Sequence, residues 1–213
     1  MVMSFLEWKQ AIKINKHKLV FSFFLLILGI AAFSASGDYA TSVAGTVAAP
    51  DLILDHFGPY NLSFIFVWLY ILVIAIYFIY PLIVKPKELP YIFNMFSIYL
   101  FIRSFFVIFT HLAVPHDATL TYFPSFLQLI NYSSDLFFSG HAGLPFLAFL
   151  VFREHHKGIA YFMFVSSIIL GVTVLLMHVH YSIDVLSAYF IVYGIYKIGN
   201  KFLREFKQDS SKK

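Results

Sequence analysis

The 213-residue chain has no cysteine, which removes disulfides, thiolate nucleophiles and zinc–thiolate sites from consideration. Charge is scarce as well. Only 12% of residues are charged while 60% are hydrophobic, and the mean hydropathy is +0.80, far from a soluble domain. No long polar linker, internal repeat or low-complexity block divides the chain, and it is too short for two membrane domains. Alternation of the membrane-barrel kind is missing too, and backbone groups in hydrocarbon must then be satisfied within helices. The expected fold is all-α: a polytopic membrane protein with six transmembrane helices in one bundle.

Six apolar stretches carry that expectation: Leu19–Ser36, Leu62–Val84, Tyr91–Ala113, Gly140–Phe152, Gly158–Met177 and Tyr181–Asn200. Most approach the roughly 20 residues that a spanning helix needs. The fourth is short, and is expected to start a few residues earlier or to tilt little. Three regions follow: a cytoplasmic amphipathic N-terminus over 1–18, a six-helix membrane catalytic domain over 19–203, and a basic cytoplasmic tail over 204–213, with Asp209 to Lys213 expected to be disordered. Ser34-Ala35-Ser36 after a Leu/Phe run also has the small-residue look of a signal-peptide cleavage site. An uncleaved helix is the favoured reading, because five spans would lack a partner for packing.

Lysine and arginine are absent from three loops, Gly37–Asn61, Val114–Ser139 and His178–His180. They gather instead before the first stretch, at Lys85 and Lys87, at Arg153 and Lys157, and after Lys197. This is a positive-inside pattern with both termini cytoplasmic, so the net charge of +4 speaks for topology and anionic lipid rather than for nucleic acid. Short loops and the lack of cysteine suit a bacterial inner membrane.

Arg103 breaks the pattern from within the third stretch, where insertion costs on the order of 2.5–3.5 kcal/mol. Either it snorkels or pairs with Asp135 or Asp184, or its fork holds a phosphate in a wet cavity; the phosphate reading is preferred. The topology then sets His141, in Ser139-Gly140-His141, and His180, in His180-Tyr181-Ser182-Ile183-Asp184, at the same outer edge. Asp184, one turn beyond His180, can accept a hydrogen bond from its ring, as the third member of a catalytic triad does. Ser139 and Gly140 open a helix whose N–H groups suit a phosphate oxygen. A pair of histidines with one carboxylate can make and break a phosphoester without a metal or any other cofactor.

These residues carry a resemblance. Asp135-Leu136-Phe137-Phe138-Ser139-Gly140-His141 and His180-Tyr181-Ser182-Ile183-Asp184-Val185, with Tyr189, resemble the two catalytic motifs of the sphingomyelin synthase branch of the type 2 phosphatidic acid phosphatase superfamily. Tyr99, Arg103, Thr110 and Val114-Pro115 resemble its third-span pattern, and Pro50-Asp51-Leu52 faintly resembles another of its motifs, so the likeness extends over about Pro50 to Tyr196. The chain also departs from the family. Ser133-Ser134 stands where the motif has Cys-Gly, and Ala142 stands where it has threonine. The plain phosphatases' Lys-x6-Arg-Pro motif is missing, and Thr173-Val174 occupies the place of their Ser-Arg pair, which favours the synthase branch.

The resemblance implies a lipid phosphotransferase in which His180 attacks the phosphorus of a glycerophospholipid and His141 protonates the departing diacylglycerol. His141 then activates the hydroxyl of an acceptor such as ceramide or diacylglycerol. Ser139, Gly140, Arg103, Asp135 and Tyr181 would bind phosphate and head group, the head group being phosphocholine or phosphoethanolamine. With water as acceptor the same machinery is a lipid-phosphate or polyprenyl-diphosphate phosphatase, or a phospholipase C-like hydrolase; a non-catalytic scaffold or transporter is the third reading. Whether one chain or a homo-oligomer is the working unit stays open. Elsewhere, His111, His116 and His178 are placed near the outer face without metal-ligand spacing, His155-His156 and Asp51, Asp55 and Asp117 read as solvated loop residues, and Trp68 and Trp8 as core and interface.

Overall fold

The computed structural model describes residues 4–43, 48–110, 112–119, 121, 123–124, 135–204 and 206. Ser133, Ser134, His111 and the tail from Asp209 lie outside the described residues. Among the described residues every regular element is helical.

Helix α1 (Phe5–Ile14) opens with a capping box: Glu7 N donates to Ser4 Oγ at 3.3 Å, and Ser4 N donates back to Glu7 Oε2 at 2.8 Å. Helix α2 (Lys16–Val43) buries Ser22, Leu26, Gly29, Phe33, Ser36, Gly37 and Ala40, spaced by threes and fours along one face. That face packs along α4 (Leu89–Phe109), where a Cβ added to Gly29 would come 3.4 Å from Ser97 Cα. Lipid supplies no hydrophobic drive between helices, so small residues that admit close backbones do the joining. The same face explains why α2 passes unbroken through Ser34-Ala35-Ser36 and seven residues beyond the apolar stretch: Gly37 and Ala40 still sit against a neighbour.

The second stretch begins as a π-helical segment, Ile65–Leu69, and continues as α3 (Tyr70–Val84). After the turn at Pro86–Glu88, α4 starts with Pro90 in its first turn and ends at Phe109, four residues short of the expected Ala113. Thr110 is already extended, ahead of Val114-Pro115, a pair that resists helix. Helix α5 (Gly140–Phe152) starts at Gly140 and not earlier, because Ser139 caps it. Its 13 residues reach about 20 Å, less than a bilayer's hydrocarbon core. It is buried on nearly all sides, between α6 (Lys157–Leu176) and α7 (Ser182–Phe202).

Four helical stretches, Lys16–Val43, Ile65–Val84, Pro86–Phe109 and Lys157–Leu176, are long and apolar enough to cross a membrane. Their exposed faces are rich in Phe, Ile, Leu and Val, as lipid contact requires. This is the pattern of an integral membrane protein. Of the six expected spans, α5 is too short to qualify, and α7 is diluted by Asp184, Lys197, Asn200 and Lys201.

Hydrogen bonds gather the loops at one end of the bundle. Tyr60 N donates to Leu176 O at 2.7 Å and Thr119 N to Met177 O at 2.9 Å. Tyr181 accepts from Ala49 N at 3.0 Å and donates to Ala113 O at 2.8 Å. The cationic segments meet elsewhere: α1 packs on the Pro86–Glu88 turn, and Trp8 Nε1 donates to Leu82 O at 2.7 Å. Trp68 is 55% exposed rather than core. His156 is not fully solvated but partly buried, with Tyr80 Oη 3.0 Å from its Nδ1.

Candidate active site

The starts of α5 and α7 are tied together by one backbone bond, Ser139 N to Asp184 O at 3.0 Å. Around it stand the residues singled out in the sequence. Asp184 is fully buried and faces two donors with the same oxygen, Oδ2: Tyr181 N at 2.9 Å, and His180 Nδ1 at 3.4 Å. Asp184 therefore closes the first turn of α7 and orients the His180 ring, a structural duty as well as the expected one. With Nδ1 turned to the carboxylate, Nε2 is the edge of His180 left for chemistry.

Ser139 caps α5 through Ala142 N at a long 3.5 Å, and Ser167 Oγ donates to Ala142 O at 2.7 Å from α6. Arg103 reaches this turn from α4. Its Nε donates to Phe138 O at 3.0 Å and its Nη1 to Asp135 Oδ2 at 2.6 Å, while the side chains of the pair are only 7% and 9% exposed. Phe33 of α2 lies 5.0 Å from the guanidinium carbon. The ion pair that the sequence offered as an alternative is thus present, with Asp135 rather than Asp184 as partner. Gly140 is what lets the guanidinium in: a Cβ there would lie 3.1 Å from Cζ and from Nη2. Desolvation pushes the Asp135 carboxyl up, against the pull of the adjacent Arg103.

His141 is 8% exposed. Its Nε2 has no hydrogen-bond partner among the described residues. Its faces are covered instead: Phe66 stacks at 4.0 Å between centroids and 19° between planes, Tyr70 at 4.1 Å and 29°. Neither ring was legible as a site residue, since aromatic residues in an apolar stretch are ordinarily packing. The signal that was available is positional only, a spacing of four on one helix.

Of the loop aspartates Asp51 departs from the solvated reading, while Asp117 stays 55% exposed. Asp51 clamps the start of α7, accepting from Ser182 N at 2.6 Å and Ser182 Oγ at 2.7 Å, and from Ile53 N at 2.9 Å and Leu54 N at 3.2 Å. Partial burial works to raise its carboxyl, but these bonds prevail and hold it below the usual range. Asp117 pairs with His178 Nδ1 at 2.9 Å, and that bond holds its carboxyl low as well. His178 is 2% exposed and adopts the left-handed backbone at φ 55°. Asp51, Asp117 and His178, with Phe57 and Tyr181, help line a cavity of about 260 Å³ at the loop end of the bundle. Among the described residues no cluster of three or more His, Asp and Glu side chains is arranged to hold a metal.

Comparison with known proteins gives one match. Residues 133–201 fit the family model described as PAP2 superfamily C-terminal. No curated protein and no solved structure matches the chain. The matched third contains the Ser139–His141 turn, His180 and Asp184, and this likeness to the PAP2 superfamily suggests an enzyme acting on phosphate esters.

Proposed function

We propose that this chain is a lipid phosphotransferase that moves a phospho-head group, phosphocholine or phosphoethanolamine, from a glycerophospholipid to a lipid hydroxyl such as that of ceramide. The observation that carries the reading is the joined start of α5 and α7, which holds a carboxylate-oriented His180 at one helix start and a buried His141 at the other.

His180 Nε2 attacks phosphorus, forming a P–N bond as the P–O bond to diacylglycerol breaks; the proton on His141 goes to that oxygen. The acceptor hydroxyl then attacks phosphorus, its proton passes to His141, and the P–N bond breaks. Both histidines are regenerated. Asp184 steadies the His180 ring and offsets the positive charge it carries during the first step. Arg103 uses Nε and Nη1 to hold Phe138 and Asp135 in place, and Nη2, beside Gly140, is the donor for a non-bridging phosphoryl oxygen together with the first N–H groups of α5. Ser139, Tyr181 and Asp135 frame the head group.

The reading places six spans in an inner bacterial membrane, α5 and α7 included, with both termini in the cytosol and the site facing outward. The absence of Lys and Arg from the three loops at the site's end of the bundle supports that direction. In a test with purified protein and labelled phosphatidylcholine or phosphatidylethanolamine, a phosphosphingolipid should appear only when ceramide is added, and His141→Ala and His180→Ala should each abolish it. Release of free phosphocholine or inorganic phosphate regardless of ceramide would make water the acceptor and the enzyme a hydrolase. Turnover surviving in either alanine variant would refute the assignment.

A further inference from the structure

His180 is oriented by a carboxylate, whereas His141 is held between aromatic faces. Two rings parallel to the same imidazole, with centroids 4.0 and 4.1 Å away, fit only on opposite sides of it. The imidazole is therefore the middle layer of a three-ring stack, with Phe123 angled at 5.8 Å and 42° as a further wall. Phe66 lies inside the π-helical segment Ile65–Leu69, and Tyr70 is the first residue after it. Widened turns of this kind recur at functional sites, where they re-aim side chains. Here the widened turn supplies both layers of the stack from one helix.

We infer that Phe66 and Tyr70 are positioning residues for the acid–base step: they clamp the His141 ring in one plane and aim its nitrogen edge at the leaving oxygen. The inference rests on the reading of His141 as general acid. A stacked ring keeps only motion within its own plane, so no hydrogen bond is needed to fix its tilt. And His141 Nε2, buried with no partner among the described residues, stays uncommitted until a substrate oxygen arrives.

The test uses the full chain and two donors that differ in how much their leaving group needs a proton. Phosphatidylcholine expels an alkoxide that must be protonated; p-nitrophenyl phosphocholine expels a phenolate that departs without help. Single-turnover release of the leaving group, with enzyme in excess, isolates the first step. For Phe66→Leu and Tyr70→Leu the rate on phosphatidylcholine should fall roughly tenfold or more, within the 10²–10⁴ that a general acid supplies, and at least about tenfold less on the nitrophenyl donor. His141→Ala should show the same bias, more strongly, and Tyr70→Phe, which returns the ring, should restore most of the loss.

Equal losses on both donors in the leucine variants, with the bias kept in His141→Ala, would make the two rings ordinary packing and overturn the inference. If His141→Ala itself shows no bias, the general-acid reading fails first and the inference falls with it. Should the leucine variants not fold, the wild-type protein still decides: with labelled histidine, the His141 ring protons must be displaced upfield by two stacked ring currents, and an ordinary shift would refute the stack.

Discussion

Removing the Arg103 fork while leaving Asp135 in place should cost this protein a large share of its stability. The two side chains are 7% and 9% exposed and 2.6 Å apart, so solvent screening does little to soften the loss. Arg103→Met keeps the apolar stem but strands a buried carboxylate and also takes the donor from Phe138 O, which is otherwise 3.0 Å away. Breaking one side of a buried pair costs about 3–5 kcal/mol, and the orphaned carbonyl puts the change toward the upper end. For a chain of this length each kcal/mol shifts the midpoint by about 2–4 °C, so the thermal transition in a fixed detergent should drop by about 6–20 °C. Arg103→Met with Asp135→Leu should recover most of that, because an apolar pair of similar size replaces the ions. The double variant should stay inactive, since the donor beside Gly140 is gone. A single Arg103→Met variant that loses less than about 1 kcal/mol, or a double variant that loses the sum of both singles, would show that the pair is not what holds the Phe138–Gly140 turn.

Further outcomes follow from the same contacts. Gly194→Ala meets no atom within 4 Å and should stabilise by about 0.5–1 kcal/mol, whereas Gly140→Ala pushes a Cβ to 3.1 Å from Arg103 and should lower both the transition and the activity; calorimetry in one detergent compares them. Asp51 is held below its ordinary range, so its contribution to stability is complete above about pH 4 and disappears as pH falls through the lower folded value. Asp51→Asn should accordingly lose stability at neutral pH and show a shallower decline of the thermal transition below about pH 4 than wild type. Asp184→Asn keeps an oxygen for Tyr181 N but removes the charge beside His180, and should cut kcat by about 10²-fold or more with a midpoint change of only a few degrees, read by activity and unfolding on the same sample.

Much of the architecture could be read from composition and spacing, because hydropathy runs and helix caps are local. The start of α5 at Gly140 follows from Ser139, and the pairing of His180 with Asp184 follows from a separation of four on a helix. What escaped is set by tertiary packing. Nothing local says that Phe66 and Tyr70 will cover a histidine some seventy residues later, or that Asp51 will fold back onto Ser182 rather than stay in water. Arg103 was legible as costly and as a candidate for pairing, but the choice between Asp135 and Asp184 depends on how α4 approaches the α5 turn, which the small face of Gly140 permits. The length of α2 beyond Ser36 escaped for the same reason, since polar residues of low hydropathy remain helical when a neighbouring helix covers Gly37 and Ala40.

The central claim is that a phosphoryl group passes through His180. Quenching the protein within its first turnover on a donor labelled at phosphorus, then digesting it, should yield an acid-labile, base-stable label on the peptide that carries His180. It should be absent from His180→Ala and retained in His141→Ala given the nitrophenyl donor. A label on any other residue, or no label in wild type while product forms at full rate, would contradict the account.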